Sequence, residues 1–169
     1  MIHTGRVHPT RPRALADATE RDARAQLLAS EPQMQPLVTF ATDLERRGGV
    51  VPLFDPTDAG VEAKVLILLE APGPMTNTNN ARPGSGFISA DNDDKTAENL
   101  WHARDRARLH DGVLLWNVVP WYLGPASKKP TAVELGQGAM ELRRLLPLLS
   151  ELRVAVLSGR FAQAAWEKH

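Results

Sequence analysis

Residues 64–69 read KVLILL, and the run stops at Glu70, followed by Ala-Pro-Gly-Pro. An aliphatic stretch of strand length has no polar face to offer water, so it must be a strand covered on both sides. That requirement selects a sheet sandwiched by helices, and the rest of the chain alternates to match. Gly112–Val118 and Arg153–Leu157 are two further apolar runs of strand length. The intervening segments predict helices over 95–109, 131–151 and 160–168, with Asp93 or Asp94 placed to cap the first. The order β-α-β-α-β-α implies right-handed crossovers and an α/β fold, three-layer α/β/α with a mainly parallel central sheet.

Ahead of this unit lies a helical N-terminal segment. The spacing predicts helices over 14–29 and 34–47, the second with Leu37, Phe40, Ala41 and Leu44 on one face and Gly48-Gly49 at its end. Residues 50–63 read as a loop, and residues 1–13, which mix Arg, His, Pro and Thr without period, as a flexible arm before a single domain over 14–169. Three strands are few, since sheets average about five or six. Either the N-terminal region donates one or the C-terminal part of the sheet is absent, and the expectation is a missing C-terminal strand.

Charge and composition narrow the functional classes. The 20 basic and 20 acidic residues cancel, so no whole-molecule field draws the chain to polyanions, although a local patch can. The absence of cysteine removes disulfides, thiolate nucleophiles, cysteine-ligated zinc and iron–sulfur clusters. The segment MIHTGRVHPTRPR has no apolar core of the kind that marks a secretory signal. No apolar run approaches the roughly 20 residues of a membrane span. The expectation is a soluble cytoplasmic protein with no metal, no cofactor and no membrane partner.

Open α/β sheets bind ligands where their strands end, so the loops after the first two long strands hold the candidate residues. Glu70 leaves a buried strand into the rigid turn Ala71-Pro72-Gly73-Pro74. Such a loop either fixes one carboxylate against a ligand or is a turn whose glutamate caps nearby amides. In GSGFISADND, residues 84–93, the glycines permit close backbone approach, and Phe87 is either a core anchor or a stacking platform. Asp91, Asp93 and Asp94 lack calcium-loop spacing and fit a helix start better. Asn117 closes the second strand among apolar neighbours, and a buried amide needs partners, either from a second loop or from a ligand edge. Trp116, Trp121 and Tyr122 beside it suit packing or base stacking.

Three motifs thus occur in one order: EAPGP after a strand, GSGF in the next loop, WNVVPWY after the second strand. Together they resemble the uracil-DNA glycosylase superfamily, and most nearly its branch with Gly-Glu-Ala-Pro-Gly as first motif, over about residues 64–168. The resemblance implies hydrolysis of the N-glycosidic bond of a flipped-out uracil in DNA, in base-excision repair. Glu70, Ala71, Pro72 and Gly73 match the loop that positions the attacking water. Phe87 resembles the aromatic that stacks on the base, and Asn117 resembles the asparagine that reads its edge. Lys128 and Lys129, in the loop after WNVVPWY, are candidate phosphate contacts or ordinary solvated lysines.

The chain departs from that pattern in three places. Leu69 stands where the first motif begins with glycine. The four cysteines that hold an iron–sulfur cluster in the related branch are absent. No His-Pro-Ser-Pro-like motif follows the third strand. His3 and His8 lie in the arm, His102 and His110 near a covering helix, and His169 arrives too early in the topology. The alternative reading is therefore a non-catalytic nucleic-acid or nucleobase-binding relative, or an inactive fragment, of the same fold. No Gly-x-Gly-x-x-Gly, Walker or Gly-x-Ser-x-Gly sequence supports an unrelated nucleotide-binding or hydrolase domain.

Overall fold

The computed structural model describes residues 11–124 and 129–168. Strand β2 (Val65–Leu69) is the centre of a parallel three-stranded sheet, flanked by β4 (Val113–Asn117) on one side and β5 (Val154–Leu157) on the other. Register pairs Val65 with both Val113 and Val154, and Leu69 with Asn117. The strand ends that carry Glu70 and Asn117 are therefore neighbours. Leu66, Leu68, Leu114 and Leu115 are sealed from solvent, as an aliphatic run requires. The expected α/β architecture with a mainly parallel sheet is the observed one.

Helices α3 (Lys95–Arg106), α4 (Ala132–Leu145) and α5 (Arg160–Trp166) follow the strands in the expected order. Asp94 is the cap of α3, accepting from the Ala97 amide at 2.9 Å. Thr131 and Glu134 close a capping box on α4. The predicted helix over 131–151 is shorter than expected. Pro147 has no amide to donate and crowds the turn before it, so the chain tightens into a 3-10 turn over Leu146–Leu148. In the N-terminal segment, Asp17 breaks the predicted helix over 14–29. A 3-10 turn (Ala14–Ala16) precedes it, and α1 (Ala18–Ser30) starts after Asp17 accepts from the Thr19 amide. Helix α2 (Gln35–Arg46) buries Leu37, Phe40, Ala41 and Leu44 as the spacing requires.

The N-terminal region contributes a strand, but not to the main sheet. β1 (Leu53–Phe54) pairs in parallel with β3 (Phe87–Ile88), both within segments expected to be loops. The pair lies alongside β4, where Phe54 stacks on Trp116 with ring centroids 3.7 Å apart and Phe40 of α2 meets the same indole edge-on. Trp116 is thus a core residue. The outer edge of β4 is closed by a short irregular segment. The Ala59 amide donates to the Val113 carbonyl at 2.8 Å, and the Leu115 amide donates to Asp58 at 2.9 Å. β5 has no such cover among the described residues, and Val154 and Val156 are exposed on one face.

Two buried ionic clusters tie the helices to the loops. Arg24 of α1 donates to Asp55 after β1 and to Asp91 before α3, and all three are buried. Arg104 of α3 donates to Asp58 at 3.3 Å. Burial pushes the Asp58 carboxyl up to about 7, against the pull of Arg104 and with the nearby Asp55 charge adding to the rise. Burial likewise pushes Asp91 up to about 6, again helped by Asp55, and its Oδ1 is buried without a hydrogen-bond partner.

A folded-state pKa above the unfolded one means that the native state holds its proton more tightly than the unfolded chain does. The resulting stability is complete below the unfolded value and is lost as pH rises through the folded one. We therefore expect the urea midpoint to fall between pH 5.5 and pH 8, across the range of about 6 to 7 set by these two groups. Glu98 works in the opposite sense in acid, because its hydrogen bonds from Arg13 and Lys95 hold its carboxyl low. Equilibrium unfolding across pH checks the sign. A midpoint that rises steadily from pH 5.5 to 8 would show that both aspartates are ionised throughout.

Candidate active site

The ends of β2 and β4 open into a cleft of about 520 Å³, within the usual range of ligand sites of about 300–1,000 Å³. One wall is the turn Glu70–Pro74, which passes through a 3-10 turn over Pro74–Thr76 held by the Thr76 hydroxyl donating to the Gly73 carbonyl at 2.7 Å. The opposite wall is Ile88, Ser89 and Asn92 with the first turns of α3. Asn117 and Ser158 come from the ends of β4 and β5. The position expected from the alternation of strands and helices, outside the strand C-termini, is the one observed.

Asn117 is 3% exposed and lines this cleft, yet its Oδ1 has no hydrogen-bond partner. Leaving a buried acceptor unsatisfied costs about 1–3 kcal/mol. The end of β2 holds the residues that follow it, since the Val118 and Val119 amides donate to the carbonyls of Leu69 and Glu70 at 2.9 and 3.1 Å. The backbone thus holds Asn117 at the cleft, beside the strand end that carries Glu70.

Glu70 is partly buried, and both of its oxygens accept from Lys129 Nζ at 3.0 Å. Lys129 also lies 5.8 Å from the centroid of the Phe161 ring of α5. This lysine, from the sequence either a phosphate contact or an ordinary solvated lysine, is here a partner of the candidate catalytic carboxylate. Lys128 lies outside the described residues. Ala71, Pro72 and Gly73 all line the cleft.

Phe87 is placed differently from a stacking platform. It is buried in β3 opposite Leu53 and does not contribute to the cleft surface, which receives Ile88 and Ser89 instead. The anchor reading of this aromatic matches its position. Trp121 packs its Cβ against Gly49, and the Tyr122 amide donates to the Val50 carbonyl at 2.8 Å, so both fasten the loop after β4 to the end of α2.

Residues that the sequence did not single out complete the walls. Ser89, Asn92, Thr96 and Ser158 bring hydroxyls and an amide to a surface otherwise lined by Leu69, Ile88 and Leu100. Their only sequence signal was a location after strand ends or at a helix start. Of the acidic residues before α3, only Asp94 lines the cleft. Asp94 caps the helix, Asp93 accepts from Arg13 and Arg82, and Asp91 accepts from Arg24. Among the described residues no group of three or more His, Asp or Glu side chains is arranged to hold a metal ion, and no helix is long and apolar enough to cross a membrane. No family model, curated protein or solved structure matches the chain.

Proposed function

We propose that this chain is a uracil-DNA glycosylase-like N-glycosyl hydrolase of the cytoplasm, acting on a flipped-out uracil in DNA. The observation that carries the reading is that Glu70 and Asn117 line one cleft from the ends of two paired strands, with the buried Asn117 Oδ1 left without a hydrogen-bond partner. A primary amide presents one acceptor and two donors in a plane. With Oδ1 toward N3 and Nδ2 toward C4 it matches uracil, whose N3–H donates and whose O4 accepts; cytosine, with an acceptor at N3 and an amino donor at C4, requires the opposite orientation of the amide. The cleft's apolar surface for the ring is formed by Leu69, Ile88 and Leu100.

Extrusion of the base costs a few kcal/mol, offset by these contacts. As the glycosidic bond breaks, positive charge grows on the sugar and negative charge on the base. The Glu70 carboxylate stabilises the first, orients a water molecule toward C1′ and takes its proton. The backbone amides of Ala71 and Gly73 stabilise the second.

The test is single-turnover release of uracil from single- and double-stranded oligonucleotides. Glu70→Gln is expected to slow release by about 10²–10⁴, the usual range for removal of a general base. Asn117→Ala should slow it by about 10²–10³. Retained affinity for uracil-containing DNA with no release from wild-type protein would instead establish the non-catalytic, base-binding reading.

A further inference from the structure

The proposed reaction leaves a base anion, and among the described residues no histidine is one of those that line the cleft. Two cations are, Lys95 and Lys129. The Lys95 side chain is 73% exposed and donates to Glu98, which is not part of the cleft surface. Lys129 lies 3.0 Å from each oxygen of Glu70.

Glu70 in the reaction above sits beside the glycosidic bond. A group at hydrogen-bond distance from both of its oxygens is then within one further hydrogen bond of the atoms flanking that bond. On the base, the flanking acceptor is O2, on the side of the ring away from the O4 that Asn117 reads. An ammonium has three donors and no acceptor, so it can keep Glu70 and also donate to O2. Lys129 is more exposed than Glu70 in the open cleft. A bound nucleotide would displace water from it and strengthen its field at the base.

We infer that Lys129 is the group that stabilises the departing base, with a fixed positive charge. The inference rests on the glycosylase reading and deepens it. In the step, the C1′–N1 bond breaks with its electron pair left on N1, and the charge spreads to O2 and O4. The water oxygen bonds to C1′, Glu70 receives the water proton, and that proton returns to the base as it leaves. Lys129 stays protonated throughout and donates to O2 as negative charge builds there. Its role differs from a phosphate contact, which would act on DNA binding and leave the chemical step alone.

The two roles separate by leaving-group chemistry. 5-Fluorouracil is more acidic at N1 than uracil, so its anion needs less help to depart. Lys129→Ala is expected to slow single-turnover release of uracil by about 10²–10³ and release of 5-fluorouracil distinctly less, so the ratio of the two rates rises. Lys129→Arg should recover most of the rate. The salt dependence of binding to uracil-containing DNA should not change. An unchanged rate ratio in Lys129→Ala, or a salt slope that drops by about one with the single-turnover rate intact, would overturn the assignment and leave the glycosylase reading standing. Release of neither base by the wild-type chain would overturn both. The side chain is 66% exposed, and far-ultraviolet circular dichroism and the urea midpoint confirm that each variant is folded.

Discussion

Arg24→Ala is expected to destabilise the protein by about 3–5 kcal/mol, the usual cost of removing one partner from a buried ion pair. The mechanism is the orphaning of charge, not the loss of attraction. Arg24, Asp55 and Asp91 are all 3% exposed or less, so removal of the guanidinium leaves two carboxylates facing each other out of reach of solvent. One escape is protonation, which makes the loss smaller at pH 5 than at pH 8. A second is to remove the surplus charge. Asp91→Asn in the Arg24→Ala background should recover part of the stability, although Asp91→Asn alone disturbs an intact pair. Urea unfolding of the three variants at the two pH values measures all of this. A loss below about 1 kcal/mol, typical of an exposed pair, would show that the cluster is open to water. Because Asp91 sits between Ser89 and Asn92, which both line the cleft, the same variant should also weaken substrate binding.

Gly138→Ala and Gly136→Ala, two residues apart on α4, are expected to act with opposite signs. A Cβ on Gly138 would stand 2.1 Å from the Val118 carbonyl oxygen and 3.0 Å from its carbon. Backbone cannot step aside as a side chain can, so α4 must lift from the end of β4, at a cost of about 1–3 kcal/mol or more. A Cβ on Gly136 meets nothing within 4 Å. There alanine brings only its better helix propensity, about 1 kcal/mol of stabilisation. Val118 directly follows Asn117, so the Gly138 variant should also slow uracil release while Gly136→Ala leaves it alone. Thermal unfolding and single-turnover release read the two effects. Equal and small changes at both positions would mean that α4 is not seated on the strand end.

The parts of this molecule that could be read from its sequence are those whose signal is long or chemically odd. The KVLILL run admits few structures, and its two companion runs then set the topology. Asn117 was legible because an amide at the end of an apolar strand demands an explanation. The pair β1–β3 was not, since two-residue strands carry no period to detect. Arg24 was not, since one arginine in an alanine-rich helix reads as solvated until its partners 31 and 67 residues away are brought to it. Phe87 shows the limit of motif position, because the same residue serves a core or a ligand according to which way a short strand turns it. The Glu70–Lys129 pair spans 59 residues, and only the fold closes that distance.

The order of strands has a consequence for how the chain is made. β2 is the middle of the sheet, but both neighbours come later, at residues 113 and 154. As the chain leaves the ribosome, its most water-averse segment waits with both hydrogen-bonding edges open until β4 is made, and with one still open until β5 follows α4. Parallel pairing at such separations is slow, because loop closure must precede any contact that rewards it. The nascent chain therefore needs shelter longest at the segment that later bears Glu70, and a chaperone that grips aliphatic stretches would hold this protein by the strand that leads to its cleft.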